Sequence, residues 1–123
     1  MTDDQAGLLI HVSSGTKNDL DTALRYAVNF AAAAAAAADD DDVRPVDVVV
    51  NGAALDLVLA GSDFHHQVTE LADGGIIGFS ACANTMTARG VHAADLHPAA
   101  RIVTAAVVHL AQRQWAGWAY LRP

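Results

Sequence analysis

A chain of 123 residues, 53% hydrophobic and 17% charged, holds enough apolar mass for one good core, and this length favours one compact domain (1–123) over two. The formal charge is −7 and the basic residues are scattered singly from Lys17 to Arg122, which excludes the concentrated Lys/Arg footprint of a nucleic-acid binder and disfavours an anionic membrane surface. A single cysteine, Cys82, allows no internal disulfide and suits a reducing compartment. The opening MTDDQAG lacks the basic and apolar regions of a signal peptide, and no apolar run reaches the roughly 18 to 20 residues that cross a bilayer; a cytoplasmic protein is expected.

In chain order, GLLIHVS (Gly7 to Ser13) is a short apolar run stopped by Ser13, Ser14 and Gly15, as a buried strand would be. Thr16 with Asp19 and Asn18 with Asp21 offer helix-start chemistry, and Leu20, Ala23, Leu24, Ala27, Val28 and Ala31 recur at helical spacing, predicting a helix from near Asn18. The alanine tract from Ala31 to Ala38 extends that helix, since alanine is the best helix former. Asp39 to Asp42 would face the negative pole of the helix dipole, so the helix is expected to end at or before them, in a solvated acidic loop without the spaced ligands of a calcium site.

VDVVVNG (Val46 to Gly52) reads as a second strand covered on both faces. AALDLVLAG and FHHQVTELADGG make one broken or two short helices, with Gly61 between them. IIGFSAC (Ile76 to Cys82) is a third strand, NTMTARG opens a third helix, RIVTAAVVHLAQRQWAG passes from strand into helix, and WAYLRP is a last strand. Strand and helix alternating in this way predict a mainly parallel sheet with helices on both faces.

In such a sheet the loops leaving the carboxyl ends of the strands share one edge, where ligands bind. That edge would gather His11, Ser13 and Ser14 after the first strand, Asn51 after the second, and Cys82, Asn84 and Thr85 after the third. CANT passes from strand towards helix, so backbone N–H groups of Ala83, Asn84 or Thr85 would lower the thiol pKa and favour the nucleophilic thiolate. A buried cysteine acting as a small hydrophobe is the competing reading. His11 could orient or deprotonate the thiol across the edge. His65 and His66 are adjacent and cannot form an i, i+4 metal pair, and His92, His97 and His109 are expected to be structural. Trp115, Trp118 and Tyr120 read as core or subunit-contact aromatics. Neither GSDF nor DGGIIG has phosphate-loop spacing, and neither a metal nor a cofactor is expected.

Four segments, HVSSGTKNDLDTALRYAVNF, VDVVVNGAALDLVLAG, IIGFSACANTMTARG and DLHPAARIVTAAVVHLAQRQWAGWAYLRP, together resemble the DsrE/DsrF-like family of intracellular sulfur-handling proteins over nearly the whole chain. The most specific parts are ACANTM and QRQWAGWAYLRP, and the pattern is similar to the stand-alone branch rather than to the hetero-oligomeric relay members. The resemblance implies a three-layer α/β/α sandwich on a mainly parallel five-stranded sheet, assembled into homotrimers or hexamers. It implies that Cys82 matches the family's sulfur-carrying cysteine, relaying persulfide sulfur between donor and acceptor proteins, as a sulfurtransferase does. From their place on the shared sheet edge, His11, Asn51, Asn84 and Thr85 are the candidate neighbours that would hold or polarise the sulfur. Two rivals stay open: an oligomeric binding module with a structural cysteine, and a redox sensor whose thiol is oxidised to sulfenic acid.

Overall fold

The computed structural model describes residues 5–37 and 43–123 of the chain. Five strands form one sheet: β1 (Leu8–Val12), β2 (Val46–Val50), β3 (Ile77–Cys82), β4 (Ala100–Val103) and β5 (Ala119–Leu121). All pairings are parallel, in the order β4-β3-β2-β1-β5. The helices are α1 (Lys17–Ala37), α2 (His65–Asp73), α3 (Ala83–Arg89) and α4 (Ala106–Trp115), with a 3-10 helix over Gly52–Val58. The α/β architecture is therefore the expected one. The helix predicted from near Asn18 starts one residue earlier, at Lys17, with Thr16 Oγ1 accepting the Asp19 N–H at 3.2 Å as the capping spacing implies. The alanine tract continues α1 as far as Ala37, whereas the acidic loop Asp39–Asp42 lies outside the described residues. AALDLVLAG forms the 3-10 helix and FHHQVTELADGG the separate α2, so the two-helix alternative holds.

Period-two alternation sorts each strand onto two different faces. One face carries Leu8, Ile10 and Val12, then Val46, Val48 and Val50, then Ile77, Phe79 and Ala81. These pack against Leu20, Ala23, Leu24 and Ala27 of α1, Leu55, Leu57 and Val58 of the 3-10 helix, Val68 of α2 and Met86 of α3. The other face carries Leu9, Val49 and Cys82 and is covered by Ala106 and Leu110 of α4.

The strand order follows from these connections. β1 to β2, β2 to β3 and β3 to β4 step in one direction through helices on the first face. The β4 to β5 connection returns across the sheet through α4 on the second face, as right-handed crossovers in opposite directions require. The chain thus leaves β3 towards one face and leaves the neighbouring β4 towards the other. Where adjacent connections diverge in this way, the carboxyl ends of the strands open into the crevice that binds ligands in open α/β sheets. Cys82 and Val103 are register partners at that point.

Candidate functional site

Cys82 is the last residue of β3 and the residue before α3, in extended conformation at φ −79° and ψ 117°. Its side chain is 5% exposed, among Leu9, Val49, Ala106 and Leu110. The sulfur accepts the backbone N–H of Ala106 at 3.3 Å. Ala106 is the first residue of α4, so the thiol faces the positive end of a ten-residue helix as well as the short turn that follows it in sequence. Burial pushes the thiol pKa up, but the N–H groups of Thr85, Ala106 and Asn84 and the Thr85 hydroxyl outweigh it and hold the thiol below its ordinary range. Local sequence shows the contribution of Asn84 and Thr85; that of Ala106 arrives from 24 residues away through the strand order.

His11 and Asn51 do come together. His11 Nε2 lies 3.0 Å from Asn51 Oδ1, to which the Ser13 hydroxyl also donates at 2.9 Å. His11 Nδ1 lies 2.7 Å from the Tyr120 hydroxyl on β5. This arrangement places the imidazole proton on Nε2, donating to Asn51, while Nδ1 accepts from Tyr120. Burial lowers the His11 pKa; the Asn51 hydrogen bond opposes this and the Arg122 charge adds to it, so the ring is neutral at pH 7. No hydrogen bond links His11 to Cys82 among the described residues, and β1 and β3 are separated by β2, a lateral distance of about 10 Å. Direct deprotonation of the thiol by His11 does not fit this geometry.

Thr85 is half-buried and its hydroxyl accepts the Gly52 N–H at 2.9 Å, tying α3 to the turn after β2. Asn84 is exposed on α3. The loop after β1 approaches that turn closely: a Cβ on Gly15 would lie 2.5 Å from the Ala53 carbonyl oxygen, so only glycine fits there. These contacts fix the edge on which the five candidate residues stand.

A polar cluster not singled out from sequence lies deeper on the same face as Cys82. Asp47, 1% exposed, accepts the Ser80 hydroxyl at 2.7 Å on Oδ1 and lies 2.7 Å from His109 Nε2 on Oδ2, with Arg101 3.8 Å away. A signal for it was present, since a lone carboxylate in VDVVV must find partners if both strand faces are covered. His97, 5% exposed, is structural as expected: its Nε2 lies 2.7 Å from the Thr69 hydroxyl and its Nδ1 accepts the Ala99 N–H at 3.0 Å. Of the carboxyl-terminal aromatics, read as core or subunit-contact residues, none is fully buried in the core of this chain. Trp118 is half-buried against the α4 cluster with Arg113 over its ring, but Trp115 is 83% exposed and Tyr120 42%, because β5 is an edge strand that α4 only partly covers.

Two surface hollows lie elsewhere. One of about 690 Å³ lies beside the start of α1, with Lys17, Leu20, Phe64 and Asp95 in its wall. Another of about 770 Å³ includes Asp47, Arg101, Arg113 and Trp118. Cys82 lines neither, but a smaller hollow of about 300 Å³ includes Val103, its register partner, with Thr104 and Ala105. Among the described residues, no group of three His, Cys, Asp or Glu side chains is arranged to hold a metal ion, and no helix is long and apolar enough to cross a membrane.

No protein-family model matches the sequence, and no curated protein matches it. Among solved structures, the chain is similar to MTH1491 from Methanobacterium thermoautotrophicum, a protein of unknown function, with a TM-score of 0.84 and 28% identity over 97% of this chain and 100% of that one. It is also similar to the YchN protein from E. coli, with a TM-score of 0.73 and 18% identity over 97% of this chain and 99% of that one, a likeness of fold alone. The five-stranded parallel α/β sheet is thus one that this chain shares with solved proteins along nearly its entire length.

Proposed function

We propose that the protein is a cytoplasmic sulfur carrier of the DsrE/DsrF-like type, a single domain holding persulfide sulfur on Cys82. The observation that carries this reading is the Cys82 sulfur at the point where the chain leaves β3 and β4 towards opposite faces, accepting the first N–H of α4. A thiol stabilised as its anion at a ligand-binding edge is what sulfur transfer requires. The Cys82 thiolate attacks the outer sulfur of a donor R–S–SH; the donor S–S bond breaks as the new one forms, R–S⁻ leaves, and Cys82–S–SH remains. Attack by an acceptor thiolate on that outer sulfur returns Cys82 to the thiolate. No net oxidation occurs in either step, and the partners supply the other thiols.

Assembly into homo-oligomers belongs to the same reading. Trp115, Val107, Ile102, Tyr120 and Leu121 leave large apolar side chains exposed on α4 and on the two edge strands, and such surface in a small chain is usually covered by a partner.

The packing of Cys82 among Leu9, Val49 and Leu110 favours one alternative, a binding module in which the cysteine only fills space. Intact-mass spectrometry after incubation with glutathione persulfide, with the alkylation rate measured against pH, separates the two. A gain of one sulfur in the wild type but not in Cys82→Ser, with alkylation well below the free-thiol pKa of about 8.5, is the expected result. No adduct, and no alkylation before unfolding, would assign Cys82 to packing.

A further inference from the structure

We infer that Asn51 binds the outer sulfur of a persulfide on Cys82, and that Tyr120, His11 and Ser13 are positioning residues that hold its amide for that task. The inference rests on the sulfur-carrier reading and assigns distinct tasks to Asn51 and His11, two of the neighbours it names. β2 and β3 pair with Val50 opposite Ala81, so the next step brings Asn51 level with Cys82. Both residues are extended there, and both side chains leave the sheet on the α4 side, as those of Val49 and Ser80 do. Neighbouring strands lie about 4.8 Å apart, within reach of an amide.

The orientation of that amide is set from the opposite side. Its Oδ1 accepts both the Ser13 hydroxyl at 2.9 Å and His11 Nε2–H at 3.0 Å, and both donors belong to the β1 side. The Nδ2 end of the amide is therefore turned away from those two donors, and β3 with Cys82 flanks β2 on the side opposite β1. Nδ2 makes no hydrogen bond among the described residues. The Cys82 sulfur already accepts the Ala106 N–H, so the unused donor is placed for the next atom out. A persulfide anion carries its charge on that outer atom, and a hydrogen bond to a charged acceptor is about twice as strong as a neutral one.

Tyr120 completes the arrangement. Its hydroxyl lies 2.7 Å from His11 Nδ1 and holds the ring in the orientation that turns Nε2 to Asn51 Oδ1. Arg122 is the charged group that acts on this histidine from β5's side. An aromatic on a partly exposed edge strand is thus a determinant of the site two strands away.

The test is the equilibrium constant for sulfur exchange between Cys82 and the glutathione/glutathione persulfide pair, read by intact mass and set beside the alkylation rate against pH. Asn51→Ala is expected to lower the exchange constant about tenfold, the loss of one charge-assisted hydrogen bond. Asn51→Asp, which faces the sulfur with an acceptor, should lower it further, and the conservative Tyr120→Phe about threefold. The alkylation midpoint should stay in place in Asn51→Ala and Tyr120→Phe, because Ala106, Thr85 and Asn84 hold the thiolate, whereas the new carboxylate of Asn51→Asp should raise it. Wild-type protein that takes up no sulfur would overturn the carrier reading and this inference together. Wild-type uptake with all three variants within twofold of it would overturn the inference alone. So would an alkylation midpoint that moves in step with the exchange constant in Asn51→Ala, which would place Asn51 on the thiol and not on the outer sulfur.

Discussion

The two faces of the sheet are built to different rules. On the first, Leu8, Ile10, Val12, Val48, Val50 and Phe79 meet three helices and a 3-10 helix with no polar side chain among the buried strand residues. On the second, one helix covers a surface where His11, Asp47, Ser80 and Cys82 are buried beside Leu9 and Val49. Burying a polar side chain costs free energy unless every hydrogen bond is met, so the second face is where sequence choice has been spent on something other than packing. Stability and chemistry are segregated by the alternation of a β-strand, residue by residue, within the same five segments.

The sharpest way to break this comparison is to cut the first face. Phe79 is fully buried there, and Phe79→Ala should lower the unfolding free energy by about 3 to 5 kcal/mol in urea denaturation. The alkylation midpoint of Cys82 in the folded fraction should be unchanged; a shift would mean that the faces are coupled through the sheet.

Next in size is the structural share of the second face. Asp47→Ala leaves the Ser80 hydroxyl and His109 without their acceptor and should cost about 3 kcal/mol. A cost below about 1 kcal/mol would show the network to be incidental and would widen the contrast between the faces. Acid should act more weakly and in one direction. Burial holds His11 and His97 below the ordinary imidazole value of 6.5, the proximity of His65 adding to this at His97 while Asp73 opposes it. The unfolded chain therefore binds more protons than the native one as pH falls through 6.5, so stability drops there and levels off below the native pKa values. The denaturation midpoint followed between pH 7.5 and 5 checks this, and His97→Gln should flatten the curve.

The smallest effect is expected at Cys82 itself. Cys82→Ser keeps the size and the acceptor for Ala106 N–H and should cost about 1 kcal/mol or less while abolishing sulfur uptake. A loss comparable to Phe79→Ala would make the cysteine a core residue.

The parts that were legible in the sequence are those set by short-range pattern. The apolar run from Leu8, the Val46–Val50 segment and the Thr16 cap each depend on neighbours within a few residues, and each element lies where its pattern put it. Cys82 at a strand-to-helix junction was legible for the same reason. The contacts that define the site were not. Ala106 reaches Cys82 across 24 residues, His109 reaches Asp47 across 62, and Tyr120 reaches His11 across 109. Each depends on the order of strands in the sheet, and alternation within one strand carries no information about which strand lies beside it.

β5 is only three residues long, yet it forms the sheet edge beside β1 and brings Tyr120 to His11. During synthesis β1 leaves the ribosome first of the five strands and its neighbour on this side leaves last. Between those moments β1 to β4 can already associate over their shared apolar face, each closure spanning a modest loop, whereas the β1–β5 pairing must wait for a loop of more than a hundred residues. A nascent chain can therefore be largely folded and still unfinished at this edge, and any truncation or proteolytic nick that removed these three residues would leave most of the hydrophobic core in place around a His11 that has lost its Tyr120 partner.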